Sequence, residues 1–217
     1  MKTDSQLQQD VIAELKWEPS VDATEIGVEV KDGIVTLAGH VSSYAEKWHA
    51  ERAAQRVEGV KALAVEMNIV LAGPSARSDS DIARTVEHAL EWVSYIPRKS
   101  IKIMVEGGWV TLSGEVQWDY QRQIALSAVR YLMGVRGVSD TITIKSASRS
   151  DAVKADIEAA LKRRTNGNAG KVSVEVHGAD VTLTGTVHNW WERELARESA
   201  WSAPGVHSVV DKMTLSY

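Results

Sequence analysis

The chain has 217 residues, with 25 lysines and arginines, 29 aspartates and glutamates, and no cysteine. A hydrophobic fraction of 44% is ordinary for a globular protein and excludes wholesale disorder, and the lack of cysteine excludes disulfides and a thiol nucleophile. The net charge of −4 gives no global attraction to nucleic acid or to an anionic membrane. Eight tryptophans, five tyrosines and no phenylalanine make the aromatic content unusual.

The N-terminal segment bears on where the chain resides. Residues 1–10 are polar and acidic, and they lack the apolar stretch of a secretory signal. No window approaches the ~20 apolar residues that cross a bilayer. We therefore predict no transmembrane segment and a chain that is cytoplasmic as written, or periplasmic if a signal segment has been trimmed.

One heptapeptide pattern occurs three times along the chain. It reads VTLAGHV at 35–41, VTLSGEV at 110–116 and VTLTGTV at 181–187. Offsets of 75 and 71 residues extend the match without gaps, and a Gly-Val pair follows each central glycine by 20 residues. The sequence therefore predicts three 68-residue units, at 4–71, 79–146 and 150–217, with linkers at 72–78 and 147–149.

Each unit begins with a predicted helix and continues with a β-hairpin. In the first unit Leu7, Val11 and Leu15 recur every four residues, which is the spacing of one helix face. Residues 26–30 alternate between apolar and polar positions, as a half-buried strand does. The following Asp-Gly pair at 32–33 predicts a hairpin turn, since both positions tolerate positive φ.

The second strand, a second helix and a third strand complete the unit. Gly39 shares a face of the second strand with apolar residues, and we expect its missing Cβ to let a helix lie close to the sheet. Ala50, Ala54 and Val57 predict the buried face of the second helix, which Gly59 ends as a C′ glycine. A right-handed crossover through this helix places the third strand parallel to the second. The predicted fold class is α+β, three tandem α-β-β-α-β sandwiches, each with two helices on a three-stranded mixed sheet.

These units resemble the BON domain family, a bacterial module of osmotically induced and nodulation proteins, through the Val-Thr-Leu-Xaa-Gly-Xaa-Val hairpin and the later Gly-Val pair. The resemblance implies three tandem BON domains in which six glycines are structural: Gly39, Gly59, Gly114, Gly134, Gly185 and Gly205. It also implies a non-enzymatic, envelope or stress-associated protein that binds phospholipid or attaches to membranes. We therefore expect no catalytic residues and no cofactor.

No motif in the sequence indicates catalysis or metal binding. The six histidines mostly occupy different repeat positions and lack the spacing of metal ligands. A Gly-Xaa-Xaa-Gly sequence at 134–137 is absent from the other repeats, so we predict no nucleic-acid binding, and no phosphate-binding loop or dinucleotide fingerprint is present. We expect no metal.

The charges are unevenly distributed among the repeats. Repeat 1 has 6 basic and 12 acidic residues, repeat 2 has 8 of each, and repeat 3 has 8 basic and 9 acidic residues. After the first helix, repeat 1 carries Glu18, Asp22 and Glu25, whereas repeats 2 and 3 carry cations there. The candidate sites for lipid or a partner are Trp92, Tyr95, Arg98, Lys99, Lys102, Lys162, Arg163, Arg164 and Lys171.

These cations support two interpretations. One is a peripheral site for anionic phospholipid headgroups, since each cation near such a surface contributes about 1 kcal/mol and Trp or Tyr favours the membrane interface. The other is a solvated loop with salt-bridged charges.

A second aromatic group follows the central glycines. It consists of Tyr44, Trp48, Trp118, Tyr120, Trp190 and Trp191. These rings either attach the second helix to the sheet or cover the sheet edge, or they form a docking surface between repeats or toward a partner protein.

The sequence therefore predicts a non-enzymatic bacterial stress-associated protein that binds phospholipid membranes peripherally. The alternative is a protein-interaction scaffold or self-associating adaptor without lipid binding, in which the acidic first repeat meets the basic loops of its neighbours. The partners are thus anionic phospholipid, partner proteins or the chain itself.

Overall fold

The computed structural model describes residues 2–71, 73, 77–97, 99–145, 153–164, 172–203 and 206–216, and of residue 164 only the backbone. Its helices are α1 Asp4–Trp17, α2 Tyr44–Arg56, α3 Asp79–Glu91, α4 Asp119–Arg130, α5 Val153–Arg164 and α6 Trp190–Trp201. Its strands are β1 Ile26–Lys31, β2 Ile34–Val41, β3 Ala62–Ile69, β4 Ile101–Glu106, β5 Trp109–Val116, β6 Gly137–Ile144, β7 Val172–His177, β8 Asp180–Val187 and β9 Ser208–Leu215.

The α+β prediction is confirmed in all three units. Each sheet has its hairpin strands antiparallel and its third strand parallel to the central one, in the orders β1-β2-β3, β4-β5-β6 and β7-β8-β9. Two helices accompany each sheet and enclose a separate apolar core. Leu7, Val11 and Leu15 are buried in the first core, as their spacing predicts.

Backbone contacts explain why the hairpins form where they do. Asp32 and Gly33 have φ values of 53° and 79°, the positive pair of a tight hairpin turn. Asp4, in the first turn of α1, accepts hydrogen bonds from the N–H groups of Asp32 and Gly33 at 2.8 and 3.0 Å. Asp79 accepts two equivalent bonds from the hairpin turn of repeat 2. A carboxylate in the first helix turn therefore holds each of these hairpins against its helix.

The expected role of the central glycine is wrong. Gly39 has a φ of +134°, and a Cβ on it would overlap the carbonyl oxygen of Glu25, not a helix. Gly114 has the same φ, and a Cβ there would overlap the carbonyl oxygen of Ser100. The glycine is required because the residue that precedes the hairpin crosses the second strand at close range. Gly185 also has a positive φ, of +122°.

The expected C′ glycines lie beyond the helix ends. Helix α2 ends at Arg56, and Gly59 is the third residue of a turn in which Val60 donates to the Val57 carbonyl. Gly59 has a φ of +104° and Gly134 a φ of +89°, as the third position of a type II turn requires. The glycines therefore shape the turn into the last strand instead of ending the helix. Gly205 lies outside the described residues.

Candidate functional site

An exposed loop of repeat 2, which we call the rim, follows helix α3. Trp92 caps the helix and is 89% exposed, Tyr95 is 63% exposed, and Lys99 and Lys102 are also exposed. Arg98 lies outside the described residues. The rim thus presents one indole, one phenol and at least two ammonium groups to solvent, the combination expected of a membrane-interface site.

The rest of repeat 2 fixes the rim in place. Gln121, near the start of α4, donates its side-chain N–H to the Tyr95 carbonyl at 2.6 Å. The Tyr95 ring meets the Tyr120 ring edge-on, with 6.2 Å between centroids. Ile96 is buried in the core directly after Tyr95. These contacts hold the loop in place, and Trp92 and Tyr95 remain exposed on it.

Lys99 has an unusual backbone conformation. Its φ is +63°, in the left-handed region that disfavours residues with a Cβ by about 1 kcal/mol. The turn closes through Ser100, whose N–H and hydroxyl both donate to the Pro97 carbonyl, at 3.2 and 2.7 Å. Behind this turn lies a groove of about 330 Å³, lined by Leu90, Ile96, Pro97, Lys99, Ile101 and Lys102 among others. Glu87 and Glu91 also line this groove, so the two lysines share it with two carboxylates as well as with apolar side chains.

The cations predicted in repeat 3 are described only in part. Lys162 and Arg163 are exposed in the last turn of α5. The side chain of Arg164 and the whole of Lys171 lie outside the described residues. By the repeat offset, Arg163 is the equivalent of Trp92. The structure therefore gives repeat 3 a cationic helix end without the aromatic residue of repeat 2.

Repeat 1 contains an exposed tryptophan that lies outside the predicted candidate sites. Trp17 ends α1, is 81% exposed, and is equivalent to Trp92 by the offset of 75 residues. That offset is the signal that could have identified it. Its surroundings carry Glu14 and Glu18, both paired with Arg56, instead of free cations. A hydrogen bond from Ser20 and the nearby Arg56 hold the pKa of Glu18 below its usual value against partial desolvation.

Two members of the second aromatic group join repeats. Trp190, the first residue of α6, packs against the core of repeat 1 and donates its ring N–H to the Val60 carbonyl at 3.0 Å. Tyr44, the first residue of α2, packs against the core of repeat 2 and hydrogen-bonds the backbone of Val138. Burial raises the pKa of the Tyr44 hydroxyl. These two residues occupy the same repeat position, so the same helix start enters the neighbouring repeat twice.

The junction between repeats 1 and 2 is strengthened by Trp48. The Arg130 guanidinium of repeat 2 lies 3.7 Å from the centroid of the Trp48 ring, and burial lowers the pKa of Arg130. His49 follows Trp48 and meets the hydroxyl of Tyr131 at 3.3 Å. Toward repeat 3, Arg52 on the same helix lies 3.5 Å from Glu194. Helix α2 therefore contacts both other repeats.

The junction between repeats 2 and 3 uses an aromatic residue from a helix end: Trp201 of repeat 3 packs against the cores of both repeats. Asp119 occupies the position of Tyr44 and Trp190, and its carboxylate oxygen lies 2.5 Å from Nη2 of Arg122. Burial raises the pKa of Asp119 although Arg122 opposes this shift. The Arg122 guanidinium lies 4.5 Å from the Trp201 ring centroid of repeat 3. At this junction the aromatic residue therefore comes from the end of α6 instead of the start of α4, and Arg122 stacks on its ring.

The docking-surface interpretation of the second aromatic group is therefore confirmed between repeats for Tyr44, Trp48 and Trp190. Trp118, Tyr120 and Trp191 differ, since they are 38%, 49% and 55% exposed. No inter-repeat hydrogen bond of these three is seen in the described residues. They line grooves between repeats, Trp191 with Trp48 of repeat 1, and Trp118 and Tyr120 with Trp201 of repeat 3.

The described residues contain no metal-binding cluster of three or more His, Asp or Glu side chains. Where histidines do have partners, these are structural, as in the 3.0 Å contact between His188 and Glu192 within one helix start. Among the described helices, none has the length and apolar character needed to cross a membrane.

Comparison with known proteins places these observations in context. A family model described as BON domain matches residues 3–70, 78–146 and 150–217. Osmotically-inducible protein Y of Escherichia coli (strain K12) is 29% identical over 146 residues, which cover 65% of this chain and 73% of that protein.

Solved structures match only weakly. The C-terminal domain of CdsD, the structural protein of the type III secretion system of Chlamydia trachomatis, gives a TM-score of 0.26 at 16% identity, with 100% of both chains covered. The PrgH periplasmic domain gives 0.24 at 12% identity, covering 89% of this chain and 96% of that one. Scores this low carry no argument about function.

Proposed function

The chain belongs to the BON domain family, with three tandem copies, and on this basis we propose that it is a non-enzymatic bacterial protein that attaches peripherally to anionic phospholipid. The similarity to osmotically-inducible protein Y supports a role in the response to stress. The observation that carries the proposal is the rim of repeat 2, where Trp92 is 89% exposed and where Lys99 and Lys102, which line one groove, are also exposed.

Physical chemistry favours a membrane surface as the partner of this rim. Exposing an indole to water is unfavourable. Tryptophan prefers the headgroup region of a membrane, where the body of the ring contacts apolar lipid and the ring N–H contacts water. Each lysine near an anionic leaflet contributes about 1 kcal/mol. Lys162 and Arg163 of repeat 3 add a second, purely electrostatic contact. The attachment is therefore weak, reversible and sensitive to salt.

The test is co-sedimentation with vesicles of phosphatidylcholine, with and without phosphatidylglycerol. We expect binding only to the anionic vesicles, and a loss of about tenfold or more when Lys99, Lys102, Lys162 and Arg163 are all changed to glutamate. A matched control changes Lys31, Arg84, Arg136 and Lys154, which are exposed elsewhere, to glutamate and so alters net charge equally.

Two outcomes would contradict the proposal. One is the absence of pelleting with anionic vesicles at low salt. The other is an equal loss in the rim variant and in the control, because net charge alone would then explain the binding.

A second candidate function is a protein-interaction scaffold. Trp118 and Tyr120 lie exposed at the start of α4, and Tyr120 contacts the rim residue Tyr95. Aromatic residues are enriched in protein interfaces. This candidate is favoured if the chain leaves anionic vesicles unbound but co-purifies with a defined protein, and if Trp118→Ala with Tyr120→Ala abolishes that interaction.

A further inference from the structure

The junction between repeats 3 and 1 is held differently from the other two. Repeats 1 and 2, and repeats 2 and 3, follow one another directly in the chain and are joined by linkers. Repeats 3 and 1 are separated in sequence by the whole of repeat 2. They meet only through noncovalent contacts, since the chain has no cysteine to form a disulfide.

The two sides of this junction are different surfaces. Repeat 3 contributes the first half of α6, where Trp190 donates to the Val60 carbonyl at 3.0 Å and Glu194 lies 3.5 Å from Arg52. Repeat 1 contributes the second half of α2 and the start of its last strand. A contact between two different surfaces is heterologous. It can form between two repeats of one chain, or between repeat 3 of one chain and repeat 1 of the next.

The junction between repeats 1 and 2 uses the same contact. Tyr44 enters repeat 2 from repeat 1 at the same helix position at which Trp190 enters repeat 1 from repeat 3. Repeat 1 contributes both surfaces, because α2 presents Tyr44 and Trp48 to repeat 2 and Arg52 to repeat 3. The docking surface that receives Trp190 is thus complete within repeat 1.

We propose that this surface of repeat 1 is an exchangeable docking site whose second occupant is repeat 3 of another copy of the chain. Within one chain the two repeats meet at an effective concentration on the order of millimolar, so the closed form predominates in dilute protein. The contact between chains grows as the protein itself approaches that concentration, or when the chain's own Trp190 is removed. No rim residue takes part, so the proposal is independent of phospholipid binding.

The absence of native cysteine allows a direct test with the full-length chain. One variant carries Arg52→Cys and the other Glu194→Cys, and a short bismaleimide cross-linker is added to their equimolar mixture. A chain that carries both Arg52→Cys and Glu194→Cys should cross-link internally at low protein concentration. In the mixture we expect a dimer containing one copy of each variant, with a yield that rises with protein concentration toward the millimolar range.

Removal of Trp190 should act in opposite directions in the two partners. Placed on the Arg52→Cys chain, Trp190→Ala vacates the docking site of that chain and should raise the dimer yield several-fold. Placed on the Glu194→Cys chain, the same substitution removes the side chain that docks, and should abolish the dimer. Trp190→Phe, which keeps the ring but loses the N–H to Val60, should give intermediate effects and serves if the alanine variant fails to fold.

A matched control replaces Arg52→Cys by Arg84→Cys, which is exposed on α3 and takes no part in the junction. The proposal is overturned if this control yields as much dimer as Arg52→Cys. It is also overturned if no mixed dimer forms up to millimolar protein, or if Trp190→Ala changes the yield in the same direction on both chains.

Discussion

Trp92 and Trp190 show how one residue type serves two purposes in this protein. Trp92 caps a helix, is 89% exposed and begins the loop that leads to Lys99. Trp190 begins a helix, packs against the core of another repeat and satisfies its ring N–H with the Val60 carbonyl. The comparison teaches that the high tryptophan content combines two populations, one that holds the repeats together and one that faces solvent.

The largest expected difference between the two populations is in stability. Trp190→Ala should lower the free energy of unfolding by about 2 kcal/mol, because it uncovers apolar surface of repeat 1 and leaves the Val60 carbonyl without its partner. Trp92→Ala should change it by less than about 0.5 kcal/mol, since the side chain is almost fully exposed. Urea denaturation followed by far-UV circular dichroism measures both, and equal losses would remove the distinction.

A smaller effect is expected at the cation that covers Trp48. Arg130→Gln removes the guanidinium 3.7 Å from the Trp48 ring and should cost about 1 kcal/mol. Arg136→Gln, in the same repeat but exposed, provides the control and should be nearly neutral. The same denaturation experiment applies, and a neutral Arg130→Gln would mean that the contact between repeats 1 and 2 does not depend on this cation.

The smallest effect concerns Glu51 on α2, near the junction residue Tyr44. Burial raises the pKa of the Glu51 carboxyl, although Lys47 and Arg52 oppose the shift. The folded-state pKa lies above the unfolded-state value of about 4.3, so the ionised carboxylate destabilises the folded protein. This destabilisation develops as the pH rises from the unfolded-state pKa to the folded-state pKa.

Glu51→Gln should therefore stabilise the protein at pH 7 by less than about 1 kcal/mol, since solvent screens the partly exposed group, and the gain should vanish below about pH 4. Glu18 of repeat 1, which pairs with Arg56, provides the opposite case. Hydrogen bonding lowers its pKa, so Glu18→Gln should give no gain at pH 7. Urea denaturation of Glu51→Gln at pH 4 and pH 7 measures this difference. An equal gain in the free energy of unfolding at both pH values would contradict the role assigned to burial.

Parts of the candidate site could be predicted from sequence, and others could not. The rim residues Trp92 and Lys99 follow from the charge and aromatic pattern after the first helix. Trp17 follows from the repeat offset alone. The pinning of the rim by Gln121 could not be predicted, because that residue approaches Tyr95 only when the second helix packs beside the first.

The sequence by itself determined the three units, their α-β-β-α-β order and their buried faces, because helix and strand periodicity and turn chemistry are local properties. Leu7, Val11 and Leu15 needed no tertiary information to be assigned to a core. Only the tertiary structure decided which repeats touch and through which residues. Tyr44, Asp119 and Trp190 share one repeat position, yet only the two aromatic residues enter a neighbouring core. That difference depends on surfaces distant in sequence meeting in space, and no local pattern encodes it.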